Sequence, residues 1–142
     1  MANKQISVFL ENRPGQLDAM TKVLADAGIA LRAMSLAETK DFGIVRMIVD
    51  DVYETATVLR DHEYISNMTP VVAVQIPDVV GGLNEVLTAL TAAGVNLEYM
   101  YSTLAGGDGR HAYMILRVEN THKAEEALRA GGFSLLKEGS FV

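Results

Sequence analysis

A short polar stretch between two apolar segments carries most of the chemistry that this sequence suggests. Its residues, in order, are Asn12, Arg13, Pro14, Gly15, Gln16 and Leu17. Pro14 presets a helical φ and needs no backbone amide hydrogen, while Gly15 allows a tight turn beside the start of a helix. A turn that leads into a helix aims several free N–H groups at one point. That point favours a carboxylate or another small anion.

The elements around this stretch follow from the spacing of apolar residues. Alternation with a period of two predicts a strand over residues 5–11, and a spacing of three and four predicts a helix over 15–27 that ends at Gly28. Two further strands, over residues 29–38 and 43–49, read as a hairpin. Asp51 is expected to cap a second helix that ends near residue 63, and a short strand follows over 64–68.

The whole arrangement occurs twice. Ile6 through Leu36 aligns without a gap with Val72 through Ser102, and the match resumes after an insertion in the following turn. The chain is therefore a duplication of a unit of about seventy residues, a size at which a lone core is marginal. We predict two domains, residues 1–69 and 70–142. The second stretch that corresponds to the first turn contains Asp78, Val79, Val80, Gly81, Gly82 and Leu83.

The second unit repeats the same order of elements. Its predicted strands and helices cover residues 71–76, 82–93, 95–102, 112–118, 121–130 and 133–136, with Gly94 ending the first helix, Asn120 capping the second and a longer hairpin loop at 104–109. Each unit thus has the β-α-β-β-α-β order of ferredoxin-like domains. The predicted fold class is α+β, with two tandem antiparallel sheets, helices on one face of each, and the units joined side by side so that edge strands are covered.

Composition excludes several classes of function. The net charge of −6 argues against nucleic acid, and the absence of cysteine removes thiolate metal sites and cysteine nucleophiles. The three histidines are scattered, so no metal site is expected. We find no nucleophile or acid–base pair at a catalytic spacing and predict a protein that is not an enzyme and needs no cofactor. No membrane span or secretory signal pattern is evident, and we expect a cytoplasmic protein.

The Asn-Arg-Pro-Gly-x-Leu turn in a doubled β-α-β-β-α-β unit resembles the ACT domain, a small regulatory module that binds amino acids. The first copy is most similar to the ACT domain of phosphoglycerate dehydrogenases. In that family one Asn in the first turn and a second Asn opening strand two hold the effector together. In the first copy, Asn12 occupies the first of these two places but Ala30 occupies the second. In the second copy, Asn96 occupies the second place but Asp78 occupies the first. The resemblance therefore implies one site completed across two copies, by Asn12 with Asn96 or by Asp78 with Asn96.

An α-amino acid also fits the residues themselves. Turn amides can hold its carboxylate, and Asp78 or an Asn carbonyl can accept from its ammonium. The side-chain pocket could be lined by Met34, Met100, Tyr99 or Tyr101. A structural alternative is that Asn12 and Asp78 are ordinary helix N-caps.

Two hypotheses for the function follow. The first is a stand-alone regulatory sensor that binds a free L-amino acid at the interface of two ACT domains and acts on a metabolic enzyme or regulator. The second is a ligand-free regulatory or interaction subunit of a biosynthetic enzyme. A homo-oligomer, most simply a dimer, is the expected assembly.

Overall fold

The computed structural model describes residues 3–103 and 111–137, and the predicted hairpin loop at 104–109 lies outside this description. The chain divides into a first compact unit, Lys4–Thr69, and a second that combines Asn3 with the chain from Pro70 onward. The elements, in chain order, are β1 (Asn3–Glu11), α1 (Gln16–Asp26), β2 (Leu31–Glu38), β3 (Phe42–Val49), α2 (Val52–Asp61), β4 (Ile65–Pro77), α3 (Gly82–Ala92), β5 (Leu97–Ser102), β6 (His111–Val118) and α4 (Thr121–Ala130).

The first unit is an antiparallel sheet with two helices packed on one face. Its strand order is β2-β3-β1-β4, and Val8 of β1 lies opposite Val45 of β3. Because side chains alternate along a strand, one face of β1 supplies Ile6, Val8 and Leu10 to the core. The helices close that core with Met20, Leu24, Val52 and Leu59. Alternation in the sequence thus becomes a two-layer structure that buries one sheet face.

The second unit repeats this construction. Its strands lie in the order β5-β6-β4. A short segment near the end of the chain lies beside β4, in the position of a fourth strand, with a bridge between Leu135 and Val74. The amide of Gln75 donates to the carbonyl of Ser134 over 2.9 Å, and that of Leu136 donates to Ala73 over 2.8 Å. The predicted fold class is therefore confirmed, with β-α-β-β-α-β connectivity in both units.

Helix ends follow the sequence signals at two kinds of position, glycine stops and polar N-caps. Gly28 and Gly94 adopt left-handed φ values of 72° and 71°, and each is the turn that ends the first helix of its unit. The Asp51 carboxylate accepts from the amides of Tyr53 and Glu54, and the Asn120 side chain accepts from the amide of Lys123. These caps and stops were predicted and are confirmed. No helix among residues 3–103 and 111–137 is long and apolar enough to cross a membrane.

Candidate functional site

The two predicted turns have the same backbone hydrogen bonds. In the first turn, the amide of Arg13 donates to Glu11 over 2.9 Å, that of Gln16 donates to Arg13 over 3.3 Å, and that of Ala19 donates to Gly15 over 2.9 Å. The second turn repeats all three bonds, from Val79 to Pro77 over 2.9 Å, from Gly82 to Val79 over 3.1 Å and from Glu85 to Gly81 over 3.0 Å. The duplication thus conserves the geometry of the turn although most of its side chains differ.

A glycine in the left-handed conformation begins the first helix of each unit. Gly15 has φ 84° and Gly81 has φ 86°, and neither helix has a side-chain cap. The alternative that Asn12 and Asp78 are N-caps is therefore wrong, because the chain turns into the helix three residues later, at the glycine. The amides of Leu17 and Leu83, in the first helical turns, have no hydrogen-bond partner among the described residues. They are the donors that an incoming carboxylate would use.

Asn12 ties the first turn to the β2–β3 hairpin. Its Nδ2 donates to the carbonyl of Thr39 over 3.0 Å and lies 3.4 Å from that of Lys40, while its backbone amide donates to Asp41 over 3.0 Å. The amide nitrogens of Asn12 are thus occupied by the protein itself. Its side-chain oxygen has no partner within the described part of the chain.

The remaining residues of the two turns divide into exposed and packed side chains. Arg13 pairs with Glu11, Nε to Oε2 over 2.6 Å, with both side chains largely exposed. Pro14 and Asp78 are exposed, whereas Gln16 is half-buried and Leu17 packs against the core of the first unit. The second turn presents three exposed apolar side chains, those of Val79, Val80 and Leu83.

Gly82 is required by close packing. A Cβ at this position would lie 2.4 Å from the carbonyl oxygen of Pro77 and 3.3 Å from Cγ2 of Ile76. At Gly81 a Cβ would meet no atom within 4 Å, so the positive φ alone favours glycine there. In the second turn, the start of the helix therefore packs closely against the end of the preceding strand. The first turn has Gln16 at the equivalent position and accommodates its Cβ.

Asn96 lies at the other end of the second unit from Asp78. Pro77, which precedes Asp78, pairs with His111 at one end of β6, and Leu97, which follows Asn96, pairs with Val118 at the other. Seven residues of strand separate those two levels, which is about 23 Å. Asp78 and Asn96 of one unit therefore cannot hold the same amino acid.

Asn96 lines a surface depression of about 560 Å³ in the second unit, together with Gly94, Val95, Glu119, Asn120, Thr121, His122 and Lys123. His122 is paired with Glu126 over 2.9 Å, and Asn120 caps α4. The side chains of Asn96, Glu119 and Lys123 have no partner among residues 3–103 and 111–137. Sequence reasoning missed Glu119 and Lys123. The connectivity carried the signal, because β5 and α4 of a β-α-β-β-α-β unit begin at the same end.

The equivalent place in the first unit is held by an ion pair. Arg32 reaches Asp50 with two parallel bonds, from Nε to Oδ1 over 2.6 Å and from Nη2 to Oδ2 over 3.0 Å. The hydrogen bond from Arg32 holds the pKa of the Asp50 carboxyl below its ordinary value, and the same bond raises the pKa of Arg32. The corresponding residues of the second unit are Glu98 and Glu119, which cannot pair. Glu98 lies 3.7 Å from Arg117 instead.

The residues proposed to line a side-chain pocket have structural roles. Met34 and Met100 pack against the cores of the first and second unit respectively. Tyr101 is buried, with 8% of its surface exposed, and Tyr99 is half-buried. Each methionine thus helps to close the core of its own unit, and the lining of a ligand pocket stays a prediction.

Comparisons with known proteins agree with this architecture. The family model of the ACT domain pair matches residues 1–141. Protein BT0572 from Bacteroides thetaiotaomicron has a solved structure that is 40% identical, with a TM-score of 0.92 over 99% of this chain and 96% of that one. A search of curated proteins returned no match.

Two structures of lower identity share the fold. The regulatory subunit of aspartate kinase from Thermus thermophilus, in its ligand-free form, is 20% identical, with a TM-score of 0.67 over 92% of this chain and 91% of that one. The corresponding subunit from Thermus flavus is 18% identical, with a TM-score of 0.67 over 93% and 92%. The likeness of the first copy to phosphoglycerate dehydrogenase stays a prediction. With the family model covering both units, the chain belongs to the ACT domain pair family.

Proposed function

We propose that this protein is a regulatory sensor that binds a free L-amino acid where the glycine turn of one ACT unit meets the strand-two opening of another. The observation that carries the proposal is the duplicated turn, in which a left-handed glycine precedes first-turn amides of α1 and α3 that have no acceptor among the described residues. Such amides suit the carboxylate of an amino acid. The side chain of Asn96, which has no partner in the described ranges, supplies a donor and an acceptor for the other half of the site.

The site needs two units because Asn96 and the Gly81 turn lie at opposite ends of one sheet. The first turn, where the Asn12 side-chain oxygen has no partner among the residues that the structure describes, is the partner that we propose for Asn96. A homodimer would be one way to supply the second unit. A ligand that contacts both units favours their packed arrangement, and such coupling is typically worth about 1–3 kcal/mol.

A biosynthetic enzyme is the partner that we propose for the regulatory output. The support is the fold shared with the regulatory subunits of aspartate kinase from two Thermus species. An enzyme of amino-acid biosynthesis would respond to the end product that the sensor binds.

A thermal-shift screen with the twenty amino acids, one at a time, tests this function. A ligand present at about 100 times its dissociation constant adds roughly 2.7 kcal/mol to the free energy of unfolding. For a chain of this length that corresponds to a rise in Tm of roughly 5–10 °C. Replacing Asn96 with Ala is expected to abolish the shift, while Asn67→Ala, at an exposed position of β4, serves as the matched control. No stabilisation by any of the twenty would refute the sensor function.

The second candidate is a ligand-free interaction subunit, and the apolar second turn favours it. Val79 and Val80 are 66% and 106% exposed, and Leu83 is 37% exposed, which is unusual for three such residues in one turn. They would provide a contact surface for an enzyme. This candidate predicts that a partner enzyme co-purifies with the chain and that amino acids leave the complex unchanged.

A further inference from the structure

The depression beside Asn96 is lined by charged groups of both signs that have no ion-pair partner in the described part of the chain. Glu119 and Lys123 both line it and form no ion pair with one another or with any other described residue. The side-chain amide of Asn96 is likewise without a partner there. A carboxylate, an ammonium group and an amide, all on exposed residues, therefore line one depression without a protein partner among the described residues.

The local backbone fixes where these groups stand. Leu97 pairs with Val118, so the next residues outward, Asn96 and Glu119, extend the two strands side by side at the end of the sheet. The Asn120 side chain accepts from the amide of Lys123 over 3.0 Å, which holds the first turn of α4 in place. Nζ of Lys123 lies 3.7 Å from the position that a Cβ on Gly94 would occupy. The ammonium group thus stands close to the backbone that leads into Asn96.

The first unit shows the opposite solution at the equivalent position. Arg32 and Asp50 satisfy each other there with two bonds, and Ala30 replaces Asn96. A bidentate ion pair leaves little hydrogen-bonding capacity for a ligand. The two copies have therefore diverged at this end, the first toward internal pairing and the second toward open polar groups.

We propose that Lys123 and Glu119 bind the charged head of the amino acid in the Asn96 half of the site. In this arrangement Lys123 and Nδ2 of Asn96 add donors to the α-carboxylate that the turn amides also bind, while Glu119 and Oδ1 of Asn96 accept from the α-ammonium. A zwitterion carries both charges, so it complements a carboxylate and an ammonium group that line the same depression. This assignment rests on the proposed function and adds the residues that recognise the ligand head. It also makes the second unit, not the first, the one that supplies this half of the site.

The test combines nuclear magnetic resonance with charge-removing variants of the full chain. The ¹⁵N-labelled protein is titrated with each of the twenty amino acids, and each one that binds is then compared with its N-acetyl and methyl ester derivatives. We expect the side-chain amide of Asn96 and the backbone amides of residues 119–123 to shift. Lys123→Gln and Glu119→Gln are each expected to weaken binding roughly tenfold, and Lys123→Arg is expected to restore most of it. Arg60→Gln, which removes a positive charge from the exposed face of α2, is the matched control.

The derivatives distinguish a direct contact from a general effect of charge. If Lys123 holds the carboxylate, Lys123→Gln reduces the preference for the free amino acid over its methyl ester. Glu119→Gln likewise reduces the preference over the N-acetyl form. Binding with wild-type affinity in both variants, with shifts confined to the Gly15 and Gly81 turns, would overturn this assignment and leave the sensor function standing. If no amino acid shifts any resonance, the sensor function itself is refuted, and this assignment falls with it.

Discussion

Replacing Gly82 with Ala should destabilise the second unit through one specific clash. The new Cβ would lie 2.4 Å from the carbonyl oxygen of Pro77, whereas carbon and carbonyl oxygen normally approach to about 3.3 Å. The start of α3 would have to move by about 1 Å, because the obstructing atom belongs to the backbone of the same turn. Overpacking of this kind costs about 1–3 kcal/mol, and the better helix propensity of Ala returns at most about 1 kcal/mol. We expect a net loss of about 1–2 kcal/mol in the free energy of unfolding.

Urea unfolding followed by circular dichroism measures the loss, and hydrogen exchange at Val86 and Leu90 localises it to α3. With a slope of about 2 kcal/mol per molar urea, the midpoint should fall by roughly 0.5–1 M. Gln16→Ala is the control at the equivalent position of the first unit, where the chain already accommodates a Cβ, and should stay within about 0.5 kcal/mol of wild type. Equal midpoints for Gly82→Ala and Gln16→Ala would refute the reasoning, since the clash is the difference between them.

Three further predictions concern contacts within the first unit. Asn12→Ala removes the bonds to the carbonyls of the β2–β3 hairpin and should cost about 1 kcal/mol, with faster hydrogen exchange at Phe42; unchanged exchange would show that the hairpin holds the turn without Asn12. Asp51→Ala removes the cap of α2 and should also cost about 1 kcal/mol, while Asp51→Asn keeps most of the stability in thermal unfolding; an equal loss in both would contradict a capping role. The folded-state pKa of Asp50 lies below its ordinary value of 3.8, so its pairing with Arg32 contributes stability above that pH and loses it as the pH falls through the lower, folded-state pKa. Arg32→Gln should therefore flatten the acid limb of a stability–pH profile, and an identical limb in wild type and variant would count against the pair.

The sequence was sufficient for the fold because the signals were local and repeated. Alternation in β1 and helical spacing in α1 each place one apolar face, and the duplication confirms the order of elements by giving it twice. Glycine stops at Gly28 and Gly94 and polar caps at Asp51 and Asn120 are set by neighbours a few residues away. Such features can be predicted from residue type and spacing.

The candidate site was less accessible to sequence reasoning because it depends on distances across the sheet. Asn12 and Asp78 stand beside a helix start, and their residue types fit an N-cap as well as a ligand contact, although the structure places the glycines at the cap positions. The unused capacity of Glu119 and Lys123 becomes visible only when the absence of a partner can be checked in space. Position 82 likewise requires a residue without a Cβ because the carbonyl of Pro77, at the end of the preceding strand, approaches it closely.

The different endings of the two units illustrate how duplication separates shape from use. One copy can keep an internal ion pair at this end of the sheet and preserve the common framework. The equivalent residues of the other copy can then change. The first unit has the ion pair of Arg32 with Asp50 at this position. The second unit has Glu98 and Glu119, which cannot form such a pair. Replacing Glu98 with Arg and Glu119 with Asp would therefore copy the ion pair of the first unit into the second and remove its open polar groups.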